Sequence, residues 1–361
     1  MNGEERDPDE AADRGARGMP HASATLGGSG ERGVLAEVFA ALEGQPTHGV
    51  LVGPGDDTAL LTVRRGAVLA TTDTMVRDRD WRDAWSSGRD VGVKIVTQNL
   101  ADLAAMGGVG TGLLVTLVAP TDLPVAWARD LTEGIAWAAR RATVPVVGGD
   151  LSSAPAGLVS VSVTALGELG SGVDSPVLRS GARPGDVLAV SGPLGRSGAG
   201  WWLLQKGRTG GDLPGSRALL DHHLRPLTDL GQGPLAARAG ATSMIDVSDG
   251  LVRDGDRLAR ASGVRLVLDE TAVEELASRL GPAVPDDVAL AQVLGGGEEH
   301  ELLATFPSRA AVPAGWVHLG GIDETLGPST EGPKQGGGSP GVWWRGRPAR
   351  PELGGWDHFG G

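Results

Sequence analysis

Cysteine is absent from all 361 residues, which excludes disulfides, thiolate metal sites and thiol catalysis together. Long apolar runs are missing as well: none approaches the ~18 to 20 residues that span a bilayer. The start of the chain is polar, mixed in charge and rich in Gly and Ala, without the apolar centre of a secretory signal. Residues 1–32 therefore read as a disordered leader, and the cytoplasm is the default location. A basic face is also lacking. The formal net charge of −13 argues against a general nucleic-acid binder. Only Lys94, Lys206 and Lys334 are lysines, so positive charge is nearly all arginine. No Ser-His-Asp order and no paired-histidine spacing stands out among the seven histidines, which disfavours a nucleophilic hydrolase.

What is present is a chain long enough for two domains of roughly 150 residues plus tails. Its hydrophobic fraction of 40% and charged fraction of 21% are those of a globular protein with a real core. Apolar spacing predicts a first helix over Gly33–Leu42, then a short strand over Val50–Val52. Two strands follow, over Ala59–Val63 and Ala67–Thr71. Ser87 and Asp90 form a capping signature for a helix running to Met106. Asn99 and Asp102 share one face of it. A strand over Leu113–Val118 leads to a helix that Asp122 is expected to cap. The strand Val144–Val147 is expected to break at Gly148-Gly149, and Leu158–Leu166 alternates as a strand with one wet face. Composition turns rich in Gly, Ser and Pro near Gly170–Pro184, which places a domain boundary there: 33–169 before it, 170–361 after it. The second half reads as a strand over Val187–Val190, a glycine loop, a helix from near Gly198 and another from Ser216. A helix over Leu251–Ala261 and a strand over Arg265–Leu268 follow. Residues 327–341 are low in complexity and read as a mobile segment.

Acids recur where apolar runs stop among small residues. "GPGDD" holds Asp56 and Asp57, "TTDT" holds Asp73, "VVGGDL" holds Asp150, and "IDVSDGL" holds Asp246 and Asp249. Each alone could be a solvated turn. Asp102 differs, because it lies mid-helix on an otherwise apolar or small surface, where a lone carboxylate needs a partner or a metal. An EF-hand starting at Asp246 fails on spacing, since its sixth and twelfth positions are not Gly and Glu. The loop "SGPLGRSGAG" (Ser191–Gly200) could cradle a phosphate, but no Lys-Ser/Thr follows it. "GGGEEHELL" places Glu298, Glu299 and Glu301 behind three glycines. Many acids, hydroxyls beside them and no thiols suit a hard cation with oxygen ligands, with magnesium as the best match. Magnesium with glycine loops points to a nucleoside triphosphate.

Taken in order, "GPGDDTALL", "TTDTMV", "QNLADLAAMGG", "VGGDL", "LRSGARPGD", "IDVSDGL", "GGGEEHEL" and "GWDHF" resemble the bacterial thiamine-monophosphate kinases. These belong to the superfamily of aminoimidazole ribonucleotide synthetase and selenophosphate synthetase. The resemblance runs from about Gly33 to Phe359. It implies an α/β (α+β type) fold of two domains, with mixed sheets flanked by helices and the N-terminal domains paired in a homodimer. It also implies ATP and several Mg2+ ions in the cleft, and conversion of thiamine monophosphate to thiamine diphosphate. By the same resemblance Asp57, Thr71, Thr72, Asp73, Asp102, Asp150, Asp246 and Asp249 match metal-binding positions. Gly149, Asp150, Arg179 and Ser248 match ATP-binding positions, and Glu298 and Trp356 match positions that contact thiamine. One departure stands out: where the family carries His-Phe after "TTDTMV", this chain has Asp80-Trp81. Asp80 could still approach the cationic thiazolium. The alternatives are another ATP-using synthetase of the superfamily, or a regulator that binds nucleotide and thiamine phosphate without catalysis.

Overall fold

The computed structural model describes residues 25–54, 59–210, 213–325 and 339–349. Asp56, Asp57, Trp356, most of the expected leader and most of the low-complexity segment lie outside the described residues.

The N-terminal half contains α1 (Leu26–Ala41), β1 (Val50–Val52), β2 (Leu60–Leu61), β3 (Leu69–Val76), α2 (Gly88–Ala105), β4 (Gly108–Pro120), α3 (Val125–Ala142), β5 (Val146–Ala154) and β6 (Ser160–Leu169). Its main sheet has the order β3-β6-β4-β5, and only β4 and β5 run parallel. Helices α2 and α3 cover one face. They cross closely because glycines meet there: a Cβ on Gly92 would stand 2.3 Å from the Leu131 carbonyl oxygen, and one on Gly134 2.2 Å from that of Arg89. Ile95, Leu100, Leu131, Ile135, Val161 and Val163 fill the space between helices and sheet. The other face carries Thr72, Thr74, Ser162, Thr164, Leu114 and Thr116 in register.

The C-terminal half contains β7 (Val187–Val190), α4 (Arg196–Gln205), α5 (Ser216–Leu224), α6 (Gln232–Arg238), β8 (Ser243–Asp246), α7 (Leu251–Ser262), β9 (Val264–Leu268), α8 (Glu270–Ser278), α9 (Asp286–Gly295), β10 (Leu302–Phe306), β11 (Val317–Glu324), β12 (Gly341–Trp344) and β13 (Arg347–Pro348). Its seven strands have the order β13-β12-β9-β11-β7-β10-β8. The mixed α/β layers expected from the sequence are present in both halves.

The α2 capping box forms as expected. Ser87 Oγ accepts from Asp90 N, and Asp90 Oδ2 accepts from Ser87 N. Several boundaries differ, with β3 running on to Val76 and β4 starting at Gly108. Helix α1 begins at Leu26 with a kink at Gly30, so residues 25–32 are not leader. The N-cap of α3 is Pro124 rather than Asp122, and no side chain caps it. Strand β5 runs through Gly148-Gly149 instead of breaking there. A Cβ on Gly149 would stand 1.9 Å from the Val115 carbonyl oxygen, so glycine there lets two strands approach.

Candidate functional site: an acidic cleft between the two halves

Asp73 projects from β3 toward α2, and Asp102 sits near the end of α2. Thr71 Oγ1 donates to Asp102 Oδ2 at 2.7 Å, and Gln98 hydrogen-bonds to Asp73. From the other half, Asp246 ends β8 and accepts from His300 Nδ1 at 3.2 Å. Burial and the nearby Asp246 and Asp73 charges push the Asp102 carboxyl up to about 7. Burial and Asp246 likewise hold Asp73 above the usual carboxylate range, against the hydrogen bond from Gln98 and the His300 charge. Three expected metal ligands, drawn from both halves, thus share one electrostatic environment. Buried carboxylates that raise one another in this way gain most from an added cation.

The donors available to a magnesium ion are the carboxylates of Asp73, Asp102 and Asp246 and the Thr71 hydroxyl. They are hard oxygens, Thr71 included. Yet no group of three or more acids or imidazoles among the described residues forms a ready metal cage. Hard oxygen donors suit Mg2+, which is held by one or two carboxylates plus substrate phosphates rather than by an all-protein shell.

The other expected residues separate. Asp249 pairs with Arg257 at 2.6 Å, while its backbone N–H donates to the buried Asp254 at 2.8 Å. Burial and the Asp246 charge push the Asp254 carboxyl up to about 7. Thr72 Oγ1 donates to the Val163 carbonyl and faces Thr164 on the wet side of the sheet. Asp150 is exposed, in register with Thr116 and Ser162 on that same side, and accepts from Ser152 Oγ at 2.6 Å. Within one chain it does not join Asp73 and Asp102. Arg179 is exposed, and its carbonyl accepts from Ser262 Oγ. The Ser248 carbonyl accepts from Glu298 N at 2.7 Å, tying the "VSDG" turn to the glutamate loop. Asp80 turns back on the chain, with Oδ2 accepting from Val76 N at 2.7 Å. Trp81 is buried and stacks on Trp127 with centroids 6.0 Å apart, so this aromatic position serves the core.

The glutamate loop divides its side chains between cleft and interior. Glu298 and His300 adopt left-handed backbone, at φ 59° and 56°. Glu298 takes two contacts of 2.9 Å from Lys94 Nζ on α2. Burial opposes its charge, but Lys94 and neighbouring groups hold the Glu298 carboxyl below the usual range. Glu299 and Glu301 point the other way and share Arg196, at 3.2 and 2.9 Å. Ser197 N and His222 also engage Glu299, and Ser191 Oγ engages Glu301. The glycine loop Ser191–Gly200 therefore cradles the protein's own carboxylates. Sequence reading missed Lys94, His300, Asp254 and Arg196. Lys94 had one visible signal: with Gln98 and Asp102 it repeats every four residues along α2.

Two family models match the chain, the AIR synthase related protein N-terminal domain over residues 55–169 and its C-terminal domain over 183–308. The thiamine-monophosphate kinase of Mycobacterium tuberculosis is 43% identical over 278 residues, 76% of this chain and 79% of that one. The chain belongs to the thiamine-monophosphate kinase family. The Escherichia coli K12 thiamine-monophosphate kinase is 33% identical over 81% of this chain and 87% of its own. Among solved structures, the thiamine-monophosphate kinase of Stenotrophomonas maltophilia K279a superposes with a TM-score of 0.71 at 28% identity, covering 88% of this chain and 96% of that one. A structure described as AaThiL complexed with AMPPCP and TMP gives 0.67 at 28% identity, covering 95% of this chain and all of that one. The two-domain fold expected from the motifs is the one these relatives share.

Proposed function

We propose that this chain is a thiamine-phosphate kinase, transferring the γ-phosphoryl group of ATP to thiamine monophosphate to give thiamine diphosphate and ADP. Kinase relatives across bacteria, and a neighbour bound to an ATP analogue and TMP, support the reaction class. The observation that carries it is the meeting of Asp73 and Asp102 from one half with Asp246 from the other, where burial and the Asp246 charge hold the first two carboxyls above the usual range. Asp73, Asp102 and Asp246, with Asp57, Asp150, Asp249, Thr71 and Thr72, are the residues proposed to hold Mg2+. Those ions would neutralise the two anionic phosphates brought together in the cleft. Gly149, Asp150, Arg179 and Ser248 are proposed on the ATP side; Glu298, Asp80 and Trp356 on the thiamine side.

No general base is required. The acceptor is a phosphate oxygen already largely ionised near neutral pH, with a second pKa of about 6. The work of the site is alignment and charge balance, as in phosphoryl transfer generally. Glu298, held ionised, faces the cleft where a cationic ring would sit. Transfer is accordingly proposed as direct and in line, without a phospho-enzyme.

The chain is further proposed to form a homodimer through the wet face of the N-terminal sheet, where Leu114 and Val109 are exposed beside the threonine rows. Sedimentation as a monomer at micromolar concentration would contradict this. No described helix is long and apolar enough to cross a membrane, and a cytoplasmic location is proposed. The deciding experiment measures thiamine diphosphate and ADP formation, with and without a magnesium chelator. Thiamine monophosphate should drive ADP release, and chelation should abolish it. Release driven instead by formylglycinamidine ribonucleotide, or binding of both substrates without turnover, would overturn the reading.

A further inference from the structure

Lys94, Gln98 and Asp102 follow one another at i, i+4 steps on one face of α2, each step rising about 6 Å along the axis. At the Asp102 end lies the acid cluster, with Gln98 reaching Asp73. At the other end Lys94 meets Glu298, and the two side chains differ in exposure, 6% against 35%. The ammonium is enclosed while the carboxylate is partly exposed. An enclosed ammonium is costly without an anionic partner. The adjacent His223 imidazole cannot substitute: pulled down to about 3 by burial and by Lys94, it is neutral and no anion. Anything that takes Glu298 must therefore offer Lys94 an anion in return. A simple cation would strand the lysine, and a simple anion would strand the glutamate. A molecule carrying both charges replaces both.

We propose that Lys94 is a specificity-determining residue whose pair with Glu298 exchanges for the two ends of a zwitterionic acceptor. The cationic ring goes to Glu298 and the acceptor phosphate to Lys94, so that the unphosphorylated alcohol, which carries only the cation, is rejected. The position of Lys94, on the same helical face as Asp102 and short of it, sets the phosphate between the ring and the acid cluster. This rests on the reading of function given above, and the test separates the two.

Dissociation constants for thiamine monophosphate and for thiamine are measured by calorimetry on the full chain with magnesium and a non-hydrolysable ATP analogue. Wild-type turnover of thiamine monophosphate, measured on the same preparation, decides the function independently. Lys94→Met is expected to lower the preference for the phosphorylated ligand at least tenfold, with thiamine bound equally or more tightly, and Lys94→Arg to restore most of it. An unchanged preference, or equal weakening for both ligands, overturns the proposal and leaves Lys94 a structural strut. Should Lys94→Met fail to fold, Lys94→Met with Glu298→Gln removes both charges together. The same fall in preference is expected of that variant, and its absence is equally decisive.

Discussion

Replacing Arg196 by methionine isolates what holds the glutamate loop in place. Its guanidinium is shared between Glu299 and Glu301, at 3.2 and 2.9 Å, and the two carboxylates are 0% and 8% exposed. Removing one partner of a buried ion pair costs about 3–5 kcal/mol, because a charge is left enclosed. Here the lower end applies. Arg196 is itself 24% exposed, and Glu299 keeps Ser197 N and His222 while Glu301 keeps Ser191. A loss of about 3 kcal/mol corresponds to roughly 6–12 °C in melting temperature for a domain of this size.

The sign with pH follows from both carboxyls. Burial holds Glu301 above its ordinary value even with Arg196 present. Its folded form is thus favoured at low pH and disfavoured as pH rises, more so without the guanidinium. Burial opposes the Glu299 charge, but His222 and Arg196 together hold it below the ordinary value. Its contribution is therefore present at high pH and lost on acidification, and it shrinks when Arg196 is removed. The Glu301 effect makes the gap between variant and wild type widest near pH 8 and smaller toward pH 5, while the Glu299 effect narrows it at more acidic pH, below its ordinary value of 4.5. Denaturant melts without ligand at the two pH values measure it. Arg196→Lys, a point charge able to reach one carboxylate well, should recover part of the loss. A loss below about 1 kcal/mol at pH 8, or a gap independent of pH, would refute a buried, shared ion pair as the prop of this loop.

Asp73→Asn should lower kcat by roughly 100-fold or more if Asp73 is a metal ligand. Its melting temperature in chelator should equal or exceed that of wild type, because one of several crowded carboxylates is neutralised; near-normal turnover would remove Asp73 from the metal set. Gly149→Ala should destabilise by about 1–3 kcal/mol or more, since its Cβ would meet the Val115 carbonyl oxygen at 1.9 Å. Gly321→Ala is the control, because its nearest neighbour would be at an ordinary 3.6 Å; equal thermal shifts for the two would mean the close strand contact is not the cause.

The layers and the acids were legible because they rest on local rules. Ser87 and Asp90 announce the start of α2, and Asp73 and Asp246 each interrupt an apolar run, Asp73 within β3 and Asp246 at the end of β8. Errors fell where two segments meet. Gly148-Gly149 reads as punctuation by itself, and only the facing Val115 carbonyl explains why β5 continues through it. Asp122 has the right chemistry for a cap, but Leu123 N bonds to the Pro120 carbonyl in a turn and Pro124 takes the N-cap position. The partners of Lys94 and His300 were hidden for the same reason. Lys94 and Glu298 are 204 positions apart, and His300 gains its role only beside Asp246.

The cations beside the acids also show which acids need help from outside. Glu298 has Lys94, Glu299 and Glu301 have Arg196, Asp249 and Asp254 have Arg257, and Asp246 has His300, which Asp246, Glu298 and Asp102 hold above its ordinary value despite burial. Among the described residues no lysine or arginine pairs with Asp73 or Asp102, although both are substantially buried and both are raised by burial and by neighbouring acids. A carboxylate pair left in that state is unfavourable until a cation arrives. Among the described residues, Glu298, Glu299, Glu301, Asp246, Asp249 and Asp254 each have a cation beside them, so the deficit at Asp73 and Asp102 marks where a divalent ion would gain most, at the junction of the two halves.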